Sequence, residues 1–280
     1  ARSYAPRLAT STLGRKDQRS NHVNLPVADV SVTNTPTSAA KLRVATYNVH
    51  GCVGMDRQRS EARIADVIAE MSVDIVALQE LDFGRRRSAG ADQTKMIADQ
   101  LGWYSHFHPA MRRDDEHYGN AILSRYQLTF RRAVELPGKP PFFCRENRAA
   151  IEVNIETNFG KVHVINTHLG LGWRERLVQT QLFTSAEWRA AIAGNTPLVL
   201  LGDFNSLPGS RSIKLLGEVV HSVRAAVNSP RLHRTFPTRL PAIAVDHIFA
   251  SAALRPLSIT AHRTVVSRVA SDHFPLVAEF

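Results

Sequence analysis

Four consecutive large aliphatics, Leu198-Val199-Leu200-Leu201, stand between Pro197 and Gly202 and run straight into Asp203-Phe204-Asn205. A continuous apolar run of this length between turn formers reads as a strand buried on both faces, which requires a sheet covered on both sides. Asp203 then emerges at the strand's carboxyl end. Alternation along an extended chain directs Asp203 and Asn205 to one face and Phe204 to the other, so a carboxylate and a carboxamide can address one substrate atom together. The same Gly-Asp-Phe-Asn also suits a simple polar turn, and what stands at the other strand ends decides between the two.

The pattern repeats along the chain. Leu42 to Asn48 reads as a strand that ends in Asn48 and leads into a loop through His50 and Gly51. Ile64, Val67, Ile68 and Met71 recur at helical spacing after Asp56 or Ser60 as caps. Asp74 to Glu80 is a second apolar strand with a carboxylate at its end. A helix is expected from Asp92 to Leu101, and a strand over Ala121-Ile122-Leu123 after Tyr118-Gly119-Asn120. Ile151, Val153 and Ile155 alternate with polar residues, and Asn158-Phe159-Gly160 turns the chain into Val162 to Ile165, an antiparallel hairpin whose second strand stops at Asn166-Thr167-His168. One long amphipathic helix is predicted from Arg174 to Ala193, and short strands at 245–249 and 275–280 close the pattern. Alternating strands and helices with a hairpin imply an α/β fold, mixed sheets covered by helices.

Composition narrows the partners. With 280 residues and 44% hydrophobic content, the chain can bury a sizeable core. No linker divides residues 41–280, so one domain is expected there, preceded by a Ser/Thr/Asn/Pro-rich stretch, residues 1–40, that reads as a disordered or extended leader. The net charge of +10 suits anionic partners, although residues 1–43 hold seven basic against two acidic residues, a surplus of five. No apolar run reaches the eighteen or so residues of a membrane-spanning helix. A soluble monomer is expected, either cytoplasmic or exported with its signal already removed. Cys52 and Cys144 are too few for a disulfide framework and too far apart for a zinc motif, so free thiols are expected.

The strand ends collect Asn48, Glu80, Asn120, His168, Asp203 with Asn205, Asp246 with His247, and Asp272 with His273. Carboxylate and carboxamide oxygens suit a hard divalent cation, Mg²⁺ or Mn²⁺. Dispersed histidines suit proton transfer and charge stabilisation. Together they point to metal-assisted hydrolysis of a phosphate ester.

Seven ordered motifs, Ala45-Thr46-Tyr47-Asn48, Leu78-Gln79-Glu80, Tyr118-Gly119-Asn120-Ala121-Ile122-Leu123-Ser124-Arg125, Asn166-Thr167-His168-Leu169, Gly202-Asp203-Phe204-Asn205, Val245-Asp246-His247-Ile248 and Ser271-Asp272-His273-Phe274-Pro275-Leu276, resemble those of the endonuclease/exonuclease/phosphatase superfamily. The resemblance is nearest to compact bacterial members grouped with sphingomyelinase-like and exonuclease III-like enzymes. It implies a four-layer α/β sandwich, two mixed sheets packed face to face with helices outside. By the same resemblance Glu80, Asn48 and Asp272 would hold the metal. His273, held in its tautomer by Asp246, or Asp203 itself would be the base. Asp203 and Asn205 would position water and a substrate oxygen, His168 would donate to the phosphate with support from Asn120 and Tyr118, and Arg148 would contact phosphate. His247 reads as a structural neighbour. The expected activity is hydrolysis of a phosphodiester, a lipid head group or small diester. The alternatives are a DNA or RNA endo- or exonuclease, which would use basic loops such as Arg85 to Arg87, Arg112, Arg113, Arg131 and Arg132, and a non-catalytic binding module.

Overall fold

The computed structural model describes residues 41–138, 144, 146–193, 196–229 and 233–280; the expected leader, residues 1–40, lies outside them. Twelve strands occur among these residues: β1 (Arg43–Asn48), β2 (Ile75–Phe83), β3 (Tyr104–Arg113), β4 (Glu116–Ser124), β5 (Leu128–Glu135), β6 (Ala149–Thr157), β7 (Gly160–His168), β8 (Leu198–Asp203), β9 (His221–Ser222), β10 (Asp246–Ala250), β11 (Ser258–Ala261) and β12 (Leu276–Glu279). The helices are α1 (Glu61–Met71), α2 (Gln93–Leu101), α3 (Trp173–Phe183), α4 (Ala186–Ala193), α5 (Arg211–Leu216), α6 (Val223–Ala226) and α7 (Val265–Ala270).

Two six-stranded sheets form, in the orders β11-β12-β1-β2-β4-β3 and β5-β6-β7-β8-β10-β9. Each has one parallel pair, β1 with β2 and β7 with β8, among antiparallel neighbours, so both are mixed. Three apolar clusters define four layers. Val44, Ile75 and Ile122 of the first sheet meet Val164, Leu201 and Ile248 of the second. Ile64, Val67, Ile68 and Ile97 of α1 and α2 cover the outer face of the first sheet, and Phe183, Trp188, Ile213 and Leu216 of α3 to α5 cover that of the second.

Local signals explain the boundaries. Ser60 caps α1 by accepting from Arg63 N at 3.1 Å, and Asp92 caps α2 by accepting from Lys95 N at 2.9 Å. Gly102 ends α2 in the left-handed conformation that glycine adopts without a Cβ penalty. Where one helix was expected up to Ala193, two form, because Thr184 and Ser185 break the run and Ser185 starts α4 anew. Strand β4 begins well before Ala121, which puts Tyr118 and Asn120 inside the sheet. β2 also runs past the expected end at Glu80, with a bulge in its pairing to β4 between Leu78 and Leu81. Cys52 and Cys144 are free thiols.

Candidate active site

Pairing register assembles the site. In the second sheet the parallel register sets His168 beside Asp203, and the antiparallel register of β10 sets Asp246 on the other side of Asp203. In the first sheet Asn48 pairs with Gln79, and Glu80 follows in the bulge with φ of 65°. That left-handed conformation is unusual for a non-glycine residue and re-aims the Glu80 side chain out of the strand's alternation. Neither sheet makes the site alone: Asn48 Nδ2 donates to Glu80 Oε1 at 2.9 Å and, across the sandwich, to Asp203 Oδ2 at 3.1 Å.

Asp203 is the hub. His168 Nε2 and His273 Nε2 lie 3.5 and 3.8 Å from its Oδ2, and its Oδ1 accepts from Asn205 N at 2.9 Å. Asn205 adopts a positive φ of 48°, so the segment closes as an Asx turn while Phe204 enters the core. The turn and the site use the same residues, and the expected simple alternation stops at Asp203. Burial raises the Asp203 carboxyl to about 7, against the lowering effect of the His273 charge. His273 Nδ1 donates to Asp246 Oδ2 at 2.9 Å, and the ring packs against Phe236 at 4.7 Å. Burial by itself would lower His273, but Asp246 and Asp203 overcome it and hold the imidazole raised to about 10.

His168 has the opposite character. Burial, then the charges of Arg148 and His273, hold it well below its ordinary value, so the ring is neutral. Arg148 Nη1 lies 3.1 Å from its Nδ1, and Asn205 Nδ2 lies 3.1 Å from its Nε2. A neutral imidazole accepts at one nitrogen only: Nδ1 accepts from Arg148, Nε2 carries the proton toward Asp203 Oδ2 at 3.5 Å, and Asn205 Nδ2 donates to Leu169 O at 2.9 Å.

Arg148 is thus in the site, but buried behind His168 and paired with Glu146 at 3.0 Å. Tyr118 is buried with its hydroxyl approaching Glu80, and burial together with the Glu80 charge keeps the phenol protonated. Asn120 is engaged elsewhere, donating to Ala149 O at 3.0 Å and so tying β4 to β6. His247 donates from Nε2 to Ser206 O at 2.7 Å, and burial lowers it to about 4. Asp272 is half-buried beside Ser271, whose hydroxyl donates to Asn48 O at 2.8 Å. Sequence reasoning missed Ser271 in this role, although the Ser-Asp-His order contained it.

Two groups bear on a metal ion. Asp203, Asp246 and His273 bring one ligand atom each within 4.8 Å of one another, but the His273–Asp246 hydrogen bond engages that histidine's Nδ1. Glu80 offers a carboxylate beside Asn48, and Asp272 one that the Ser271 hydroxyl links to Asn48 O; among the described residues no Lys or Arg ion-pairs with either carboxylate. All-oxygen donors without a counter-cation fit a hard divalent ion.

The sequence matches the model of the Endonuclease/Exonuclease/phosphatase family over residues 45–273. The uncharacterized protein YbhP of Escherichia coli (strain K12) is 30% identical over 261 residues, 87% of this chain and 97% of that protein. Among solved structures, an endonuclease/exonuclease/phosphatase from Beutenbergia cavernae DSM 12333 superposes with a TM-score of 0.68 at 22% identity, covering 85% of this chain and 71% of that one. The Bacteroides thetaiotaomicron VPI-5482 mannosyl-6-phosphatase Bt3783 gives a TM-score of 0.65 at 20% identity, covering 85% of this chain and 98% of its own.

Proposed function

The chain belongs to the endonuclease/exonuclease/phosphatase family of phosphoester hydrolases, and from that premise we propose that it is a Mg²⁺- or Mn²⁺-dependent phosphodiesterase. The observation that carries this reading is the single hydrogen-bonded cluster in which Asn48, Glu80, His168, Asp203, Asn205, Asp246 and His273 meet from strands of both sheets.

Glu80, Asp272 and Asn48 would hold the ion, which would polarise a phosphoryl oxygen and offset developing negative charge. The chain's own groups do the rest. Asp246 fixes the His273 tautomer so that Nε2 faces the space beside Asp203, where the pair orients the attacking water and removes its proton. His273, held protonated between Asp246 and Asp203, donates from Nε2, and Asp203 serves as the base. His168 and Asn205 present N–H donors to the phosphoryl oxygens, and Arg148 holds the His168 ring from behind. The Glu80 bulge gives this geometry rigidity, since its backbone is part of the sheet rather than a loop.

A lipid head group or other small diester suits the rim. Leu171 and Trp173, just after His168, and Leu207, just after Asn205, are exposed large apolar residues (41, 63 and 54%). Beside Arg174 and Arg176 they would favour an anionic lipid surface. The nuclease alternative relies on basic loops, and two of its candidates, Arg131 and Arg132, are engaged by Glu152, with Glu187 also pairing Arg132.

The test is hydrolysis of bis-(p-nitrophenyl) phosphate, p-nitrophenyl phosphate, sphingomyelin vesicles and plasmid DNA, with Mg²⁺ or Mn²⁺ and with EDTA. Diester turnover should vanish in EDTA and fall by about a hundredfold or more in Glu80→Ala and His273→Ala. Preference for the monoester or for DNA would replace the diester-lipid reading, and folded protein without turnover on any of the four would overturn it.

A further inference from the structure

In sequence, Arg85-Arg86-Arg87 is one of the basic loops that a nuclease would use, and the structure divides the triplet. Arg86 projects into solvent, its side chain 97% exposed. Arg87 instead donates from Nε and Nη2 to the two oxygens of Asp82, at 2.8 and 2.7 Å. Arg85 Nη1 lies 3.5 Å from Asp82 Oδ1. That carboxylate is 2% exposed, and one bidentate guanidinium already meets what a buried carboxylate requires. A second cation at the same carboxylate is a surplus.

Both guanidinium groups also lie over the Tyr118 ring, 5.5 Å away for Arg85 and 5.2 Å for Arg87. Because the Tyr118 hydroxyl approaches Glu80, the two arginines border the metal side of the cleft. The loop that carries them is tied at several points. Gly84 N donates to Ala91 O and Gly90 N to Arg85 O, at 3.0 and 2.9 Å. Ser88 Oγ donates to Arg85 O at 3.0 Å, and Arg59 Nη1 to Arg87 O at 3.2 Å. Glu116 lies 3.5 Å from Arg86 and 3.9 Å from Arg85, and the charge of Glu80 also acts on Arg87. Asp82 is nonetheless shared by two guanidinium groups, Arg85 and Arg87, while Arg86 is left to Glu116. Asp82 engages only the Nε/Nη2 edge of Arg87 and one Nη of Arg85, so two held guanidinium groups keep further donors in the planar geometry that phosphate accepts.

We propose that Arg85 and Arg87 form a second anion subsite beside the Glu80 side of the cleft, taking a phosphate that the substrate carries in addition to the scissile phosphoester. This deepens the phosphoesterase reading above and rests on it. The competing account is that the pair serves only to neutralise Asp82 and to pack on Tyr118. A purely structural pair would be indifferent to whether the substrate bears a second phosphate.

The experiment compares the p-nitrophenyl phosphodiester of thymidine with and without a phosphate on the other sugar hydroxyl, in wild type, Arg87→Lys, Arg85→Gln and Arg86→Gln. Wild type should show a KM about tenfold lower for the phosphorylated ester, the contribution of one charge-assisted hydrogen bond. Arg87→Lys, which keeps a cation against Asp82, and Arg85→Gln should each move that ratio toward one, whereas Arg86→Gln should keep it. A wild-type ratio near one, or a ratio kept in both Arg87→Lys and Arg85→Gln, overturns the subsite. If neither ester is hydrolysed, the phosphodiesterase reading fails separately. Calorimetric binding of thymidine bisphosphate against thymidine monophosphate then reads the subsite directly, and equal affinities overturn it.

Discussion

At the scale of single residues, two equally buried histidines are tuned in opposite directions by the charges they face. His273 faces two carboxylates and is held protonated, while His168 faces Arg148 and is held neutral. His247 gives the cleanest consequence for stability. Its folded value is about 4 against an ordinary 6.5, so the native state disfavours its proton. The unfolded chain binds more protons between those values, and the stability His247 confers is complete above pH 6.5 and is lost as pH falls toward 4. Across that window the loss is on the order of 3 kcal/mol. Urea unfolding of wild type and His247→Gln at pH 7.5 and pH 4.5 checks this. The variant should be less stable at the higher pH and should close most of the gap at the lower one; a gap independent of pH would show that His247 does not titrate in this way.

Element boundaries and strand spacing raise a different issue, how closely the backbones must approach. Gly202 sits where β8 runs parallel to β7, and a Cβ placed there would lie 1.9 Å from Thr167 O. The clash is with backbone, so neither strand can give way without disturbing His168 and Asp203 at their ends. Gly202→Ala is expected to cost more than about 3 kcal/mol in urea unfolding, among the larger effects of a single substitution. Removing the α1 cap is a milder change. Ser60→Ala frees Arg63 N at a helix end outside the Asp203 cluster, and should cost about 1 kcal/mol. If Gly202→Ala unfolded no more easily than Ser60→Ala, the close approach of β7 and β8 would be wrong.

For the whole molecule, the joint between the sheets depends on one buried amide as well as on the apolar layer. Asn166 Nδ2 donates to Leu78 O and Ala121 O, both at 2.8 Å, beside the bulge where β2 and β4 lose regular pairing. Its Oδ1 accepts from Gln79 Nε2 at 2.7 Å, and Gln79 is linked in turn to Thr46. The bulge that aims Glu80 is therefore satisfied from the opposite sheet. Asn166→Leu would leave two carbonyls and the Gln79 amide unpartnered in the interior, each costing about 1–3 kcal/mol. Unfolding should become easier by at least 3 kcal/mol, and turnover should fall in whatever fraction stays folded, because Glu80 loses its support. A variant with full stability and activity would remove Asn166 from this role.

The layered α/β plan and the residue types at the strand ends are legible in the chain itself. Apolar runs such as Leu198 to Leu201 and Val44 to Tyr47 end in polar residues wherever a buried strand surfaces, and that rule is local. The caps Ser60 and Asp92, and the hairpin at Asn158 to Gly160, are local in the same sense. Tertiary structure decided which of those ends meet. Asp203 lies between His168 and Asp246 through pairing register, which links residues tens of positions apart. Glu80 reaches Asn48 through a bulge that nothing in Leu78-Gln79-Glu80 announces. Short edge strands such as β9 and β11, and the early start of β4, lack a periodic pattern of their own and exist because a neighbour offers hydrogen bonds. Arg87 and Arg86 are adjacent and chemically identical, yet one is fastened to a buried carboxylate and the other lies in solvent. That difference depends on the position of Asp82 in three dimensions, a long-range fact that local propensity does not encode.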